Sequence, residues 1–207
     1  SGAALDLNGQ AIASTGTLTL NGTGIASGGA LMNSGAAASY AGLVALGSDS
    51  SIIGGTGAIS LSNAGTIVGS GKALTLGGAA GGSIASIIGT GAGTLTKQDA
   101  GTWSLTGVNT FTGGMSVAAG IVATTNSAGL GTGTVTLPSG STGRVLLAGG
   151  STYANNFVVG SGVGQANVTG VTGVGIRPPP AVPSGGSTRT DSSSQRPMPV
   201  SVKALIN

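Results

Sequence analysis

Residues Leu95-Thr-Lys-Gln-Asp-Ala-Gly-Thr-Trp-Ser-Leu-Thr-Gly-Val-Asn-Thr-Phe-Thr-Gly-Gly-Met-Ser-Val-Ala-Ala-Gly-Ile-Val122 decide how the chain folds. Within them Trp103-Ser104-Leu105-Thr106 alternates an apolar with a small polar side chain, and Leu95-Thr96 begins in the same way. Successive side chains of a strand point to opposite faces, so this pattern makes one apolar face and one hydroxylated face. Asn109 and the Gly113-Gly114 pair interrupt it with turn chemistry. Helix is disfavoured throughout the body of the chain. Glycine recurs every few residues there, and each one costs a helix about 0.8–1.0 kcal/mol relative to Ala.

The same short alternation recurs on both sides of this stretch. It is seen in Thr17-Leu18-Thr19-Leu20, Ala58-Ile59-Ser60-Leu61, Ala73-Leu74-Thr75-Leu76 and Thr134-Val135-Thr136-Leu137, each bounded by Gly, Asn or Pro. The 207 residues include 43 Gly, 26 Ser and 25 Thr, while charged residues are 5% and aromatic residues 2%. A sandwich fills a gap of about 10 Å between its sheets with large side chains, which this composition does not supply. The narrow core of a right-handed parallel β-helix fits better, with Leu, Ile and Val stacked coil on coil and Gly or Asn at the corners. One test of strict periodicity fails. The final leucines of the alternating runs, Leu20, Leu61, Leu76, Leu105 and Leu137, are spaced by 41, 15, 29 and 32 residues, against roughly 20 per coil in a regular solenoid.

Charge and proline divide the chain into 1–175 and 176–207. The first part balances Lys72, Lys97 and Arg144 against Asp6, Asp49 and Asp99. The second carries Arg177, Arg189, Arg196 and Lys203 against Asp191, and holds six of the seven prolines. A Pro/Ser-rich tail of this kind buries too little apolar surface to offset its ordering entropy, so 176–207 is expected to be disordered. Its cations are dispersed and have no aromatic partners, which argues against nucleic-acid binding.

Chemistry-bearing residues are sparse. Cys, His and Glu are absent, so neither a thiolate metal site nor a His-activated serine can be assembled. Asp6, Asp49 and Asp99 stand more than 40 residues apart among turn-forming neighbours, where Asp is common for local reasons. No catalytic, cofactor-binding or metal-ligating residue is assigned, no cofactor is expected, and the chain is read as non-enzymatic. Gly54-Gly-Thr-Gly-Ala-Ile59 starts like a calcium-binding nonapeptide but has Ile59 at the ligating Asp position. Two alternatives stay open: a ligand-binding solenoid, ice-binding in particular, and a carbohydrate-active β-helix. The former draws on Thr15-Gly-Thr17-Leu-Thr19, Thr110-Phe-Thr112 and Thr132-Gly-Thr134-Val-Thr136, and needs these pairs in one register on adjacent coils.

The stretch 95–122 resembles the passenger-associated repeat of bacterial autotransporters. Lys97, Gly101, Thr102, Trp103, Leu105, Gly107, Asn109, Thr110, Phe111, Gly113, Gly114, Val117 and Gly120 fall in register with that pattern. Asp99, Met115 and Val122 stand where the family usually has Gly, Thr and Leu. Asp99 is expected to keep the turn, because Asp tolerates the left-handed conformation. Trp103 is expected to anchor the core between coils, and Asn109 to provide a turn. The cadence of the repeat extends over about 5–170. The resemblance implies a β-helical passenger segment on the bacterial surface or outside the cell, with an adhesin-like structural role and a part in passenger folding and secretion. Host-surface or cell-surface ligands are the implied partners. A translocating barrel is expected in the parent chain, since 177–207 lacks the alternating strands of one. With so few charges on the coil edges, self-association through them is also expected.

Overall fold

The computed structural model describes residues 2–148 and 150–161, together with strand residues 168–169 and 200–202. Its strands stack into a parallel β-solenoid of three faces. The first face carries Leu5–Asp6, Leu31–Asn33, the second half of Leu43–Gly54, Leu74–Gly77, Leu95–Lys97, Met115–Val117, Val135–Leu137 and Phe157–Val159. The second carries Ala11–Ile12, Ala38–Tyr40, Ile59–Leu61, Gly81–Ile84, Thr102–Leu105, Ile121–Thr124, Arg144–Leu147 and Val168–Thr169. Thr17–Gly22, the first half of Leu43–Gly54, Thr66–Val68 and Ile87–Gly89 make the third. Among the described residues there is no α-helix, only a 3-10 turn at Ile25–Ser27.

Register explains the failed periodicity. Leu20 belongs to the third face, Leu61 and Leu105 to the second, and Leu76 and Leu137 to the first. Distances between them therefore mix fractions of a coil. Within one face the repeat is close to constant. Leu74, Leu95, Met115, Val135 and Phe157 pair in succession at intervals of 21, 20, 20 and 22 residues. Rungs about 4.8 Å apart thus bring like side chains into contact, and all five are buried. On the second face Ala38, Ile59, Gly82, Trp103, Val122 and Val145 form one inward column, with Tyr40, Leu61, Ile84, Leu105, Thr124 and Leu147 beside it. Alternation places Ser and Thr outside, as expected for half-buried strands.

The expected disorder of 176–207 lies outside the described residues, except at Val200–Val202. The backbone of that strand pairs with Phe157–Val159 and is antiparallel, whereas the other pairings of the described strands are parallel.

Candidate functional site

The strands of the 95–122 stretch lie within the stack and are covered on both sides. Leu95–Lys97 lies between Leu74–Gly77 and Met115–Val117, and Thr102–Leu105 between Gly81–Ile84 and Ile121–Thr124. Two polar side chains of this stretch, Lys97 and Asn109, are turned into the interior.

Lys97 is the more unexpected of the two. Alternation with Leu95 directs it inward, into a column between Leu76 and Val117, where it is 0% exposed. A buried ammonium is tolerated only when its protons find acceptors. The Lys97 stem lies along the apolar column, and its Nζ donates at the corner to the carbonyl oxygens of Gln98 at 2.5 Å, Asp99 at 2.6 Å and Ala119 at 3.0 Å. Ala119 belongs to the following coil. Burial pushes the Lys97 ammonium from its ordinary 10.5 down to about 8, against the opposing pull of the Asp99 carboxylate.

Asp99 does adopt the left-handed conformation, with φ 60°. Its Oδ2 accepts from the Gly78 amide of the preceding coil at 2.7 Å. Lys97 and Asp99 together therefore join three successive coils at one corner. Two substitutions separate the contributions of Asp99. Asp99→Gly loses the carboxylate bond but relieves the left-handed backbone, whereas Asp99→Ala loses the bond and keeps the strain. Asp99→Ala is expected to be less stable than Asp99→Gly by about 1 kcal/mol, read from the denaturation midpoints of the two variants.

Trp103 is 0% exposed, and its Nε1 donates to the Gly77 carbonyl at 3.0 Å. Its partner in register on the preceding rung is Gly82. A Cβ there would lie 2.2 Å from the Ile59 carbonyl oxygen and 3.0 Å from the indole ring, so only Gly leaves the ring its space. The indole is a core anchor, as its alternation implies.

Asn109 departs from its expected role as a turn residue. It is 2% exposed beneath the third face, where its Oδ1 accepts from the Ile88 amide at 2.7 Å and its Nδ2 donates to the Gly129 carbonyl at 2.6 Å. Ile88 is in the preceding coil and Gly129 in the following one. No strand is assigned at Asn109, but its backbone amide bonds to the Ala128 carbonyl at 3.2 Å and its side chain adds a bond to each neighbouring coil. Asn33 and Asn155 are likewise buried and donate to backbone carbonyls.

The three carboxylates of 1–175 have separate, similar tasks. Asp6 accepts from the Ser34 amide at 3.0 Å and the Ser34 hydroxyl at 2.5 Å, Asp49 from the Ala73 amide at 2.9 Å, and Asp99 from Gly78. Each bridges to a neighbouring coil. The Ser34 hydroxyl and amide, with the Asn8 amide, hold Asp6 below its ordinary value. Among the described residues no three His, Cys, Asp or Glu come together as metal ligands. Ile59 of the nonapeptide-like run is a buried core residue. The Thr-x-Thr runs also separate: Thr17 and Thr19 lie on the third face and Thr134 and Thr136 at the first. The Thr110 amide bonds to the Ile88 carbonyl of the third face, and Ile88 is two coils on from Leu43 and Ala45, the partners of Thr17 and Thr19.

One arrangement was not visible in the sequence. On the outer side of the first face, Thr75, Thr96, Ser116 and Thr136 pair in succession as a continuous hydroxyl ladder. The signal is hidden because many other Ser and Thr residues lie between these four, and only the pairing shows which ones stack.

The passenger-associated-transport-repeat family model matches residues 95–123. No curated protein and no solved structure matches the chain. Residues 95–123 are a passenger-associated transport repeat of the kind carried by autotransporter passengers, built into a parallel β-solenoid.

Proposed function

We propose that the chain is a surface-displayed segment of a bacterial autotransporter passenger, a structural rod with an adhesin-like role whose repeat helps the passenger fold during secretion. The observation that carries this reading is the interlocked corner of the repeat. Lys97 and Asp99 bond to both neighbouring coils, so one coil folded around them offers a template to the next. A chain that reaches the surface progressively gains most from such local inter-coil bonds, because they need no distant partner. The rod is non-enzymatic in this reading. Its carboxylates are engaged with backbone amides, and its polar interior groups bond to the chain itself.

The test is display behind a translocating barrel in an outer-membrane host. Expected is full-length chain at the surface, open to protease added to intact cells, with a severalfold drop when Lys97 is replaced by Met. Equal display of the two would remove the folding role, and retention of both inside the cell would remove the surface role.

Self-association belongs to the same reading. Leu5–Asp6, Ala11–Ile12 and Thr17–Gly22 each pair on one side only among the described residues, and Asp6 is their single charged residue. Such edges invite pairing with another chain. Light scattering of the 207-residue chain is expected to show a mass that rises with concentration; a monomer throughout would contradict it.

A further inference from the structure

We infer that the outer side of the first face holds a binding site for an uncharged glycan, in the groove between Thr94 and Thr136. This deepens the adhesin-like reading above and rests on it. The groove has a volume of about 320 Å³ and is lined by Thr94, Thr112, Gly114, Ser116, Thr134 and Thr136, among others. None of its lining residues is charged.

Three observations carry the assignment. The first is that the floor is built in. Gly114 has φ 87°, and a Cβ on it would lie 2.9 Å from the Thr134 carbonyl oxygen, so the fold itself keeps this position without a side chain. The depression between the Thr94–Thr96 rung and the Thr134–Thr136 rung follows from that.

The second is the state of the hydroxyls. At several corners, Ser and Thr hydroxyls are used within the fold. Ser86 bonds to the Asn63 carbonyl, Ser141 to Val117 and Ala118, and Thr124 to Asn126. Thr112 at the rim bonds to Gly91. Of the groove's hydroxyls, Thr94, Ser116, Thr134 and Thr136 make no side-chain hydrogen bond to another described residue, and neither does Thr96, which flanks the groove as the partner of Ser116. These five hydroxyls are each able to donate and accept.

The third is the chemistry that such a lining selects. A phosphate, sulfate or carboxylate ligand calls for Arg, Lys or converging backbone amides, which the groove does not offer. An apolar ligand would leave the hydroxyls unpartnered. A neutral chain of alcohols satisfies donors and acceptors alike. The ladder Thr75, Thr96, Ser116, Thr136 repeats about every 4.8 Å along the stack, so the axis of an extended glycan would run along the solenoid. Ice, the other hydroxyl lattice, needs a flat array, and the Gly114–Ser116 rung breaks the Thr-x-Thr pattern between its neighbours.

The experiment titrates the isotopically labelled full chain with a neutral linear oligosaccharide, cellohexaose, and separately with an anionic heparin hexasaccharide, following backbone amide shifts. Expected are shifts at 94–96, 114–116 and 134–136 with cellohexaose alone, weakened roughly tenfold in a Thr96→Val, Thr136→Val double variant, the loss of about one net hydrogen bond. Both substitutions keep a β-branched residue on a strand surface, so an unchanged spectrum elsewhere establishes that the variant is folded. No shift at ~10 mM cellohexaose, roughly ten times a millimolar dissociation constant, overturns the proposal. Shifts with heparin alone, or on another face, overturn it as well. Thermal hysteresis abolished by the same double variant, without glycan shifts, would transfer the surface to ice. Each of these negative results leaves the surface-display reading intact, because protease accessibility on cells tests that separately.

Discussion

Replacing Trp103 by Ala is expected to lower the stability of the solenoid by about 3–5 kcal/mol, the range for removing a large aromatic side chain from a close-packed core. The packing around it argues for the upper part of that range. Gly82, the residue in register on the preceding rung, has no side chain to move into the space, and its backbone is held against Ile59. On the other side Val122 is fixed by its own pairing. The cavity therefore persists, and the Gly77 carbonyl loses its indole donor. Trp103→Phe separates the two effects: it keeps most of the volume and forfeits the hydrogen bond, for a loss relative to the parent near 1 kcal/mol. Urea unfolding followed by circular dichroism is the appropriate measurement, since Trp103 is the chain's single tryptophan and its fluorescence disappears with the substitution. A Trp103→Ala variant within 1 kcal/mol of the parent would show that the indole is not a packed anchor.

Lys97→Met is expected to cost about 2–3 kcal/mol near neutral pH. Met fills a similar volume in the column between Leu76 and Val117 but leaves the part-buried carbonyls of Gln98, Asp99 and Ala119 without their donor. A fully buried unsatisfied group costs roughly 1–3 kcal/mol, and each of these, with partial access to water, costs less. Relief of the burial that depresses the ammonium offsets part of the loss. The pH dependence identifies the mechanism. Folding lowers the Lys97 pKa from 10.5 to about 8. Between those values the unfolded chain holds a proton that the folded chain has released, so stability rises with pH across that window. The rise belongs to Lys97 and should be absent from Lys97→Met. A parent protein that loses stability between pH 8 and 10, or a variant with the same slope, would mean that the ammonium is not held as described.

These two residues also show how much of the molecule can be read without coordinates. Trp103 is legible because Trp103-Ser104-Leu105 alternates cleanly and an apolar residue in such a run faces inward. The same rule applied to Leu95-Thr96-Lys97 places Lys97 inward too, and only the habit of assigning lysine to the surface conceals it. The parallel solenoid follows from short alternating runs, small core residues and abundant Gly. Its coil length does not, because leucines of three faces are interleaved along the chain and only pairing reveals which ones stack. Asn109 reads as a turn from its type alone. Its burial depends on Ile88 and Gly129, some twenty residues away on either side, and such partners are set by register. The hydroxyl ladder is hidden for the same reason. Thr75, Thr96, Ser116 and Thr136 are unremarkable in their own runs and become a surface only when the rungs align.

Register is thus the claim on which the rest depends, and paired cysteines test it most directly. The chain has no native Cys, so introduced thiols have no competitors. Thr96 and Ser116 are partners on adjacent rungs, with Cα atoms about 4.8 Å apart, inside the 4.4–6.8 Å that a disulfide spans. Thr75 and Ser116 are separated by the Thr96 rung, at roughly twice that distance and beyond reach. Under mild oxidation the Thr96→Cys, Ser116→Cys chain is expected to close an intramolecular disulfide readily, and the Thr75→Cys, Ser116→Cys chain to remain reduced. Closure of the second pair in preference to the first would place these strands on different neighbours and contradict the stacked arrangement.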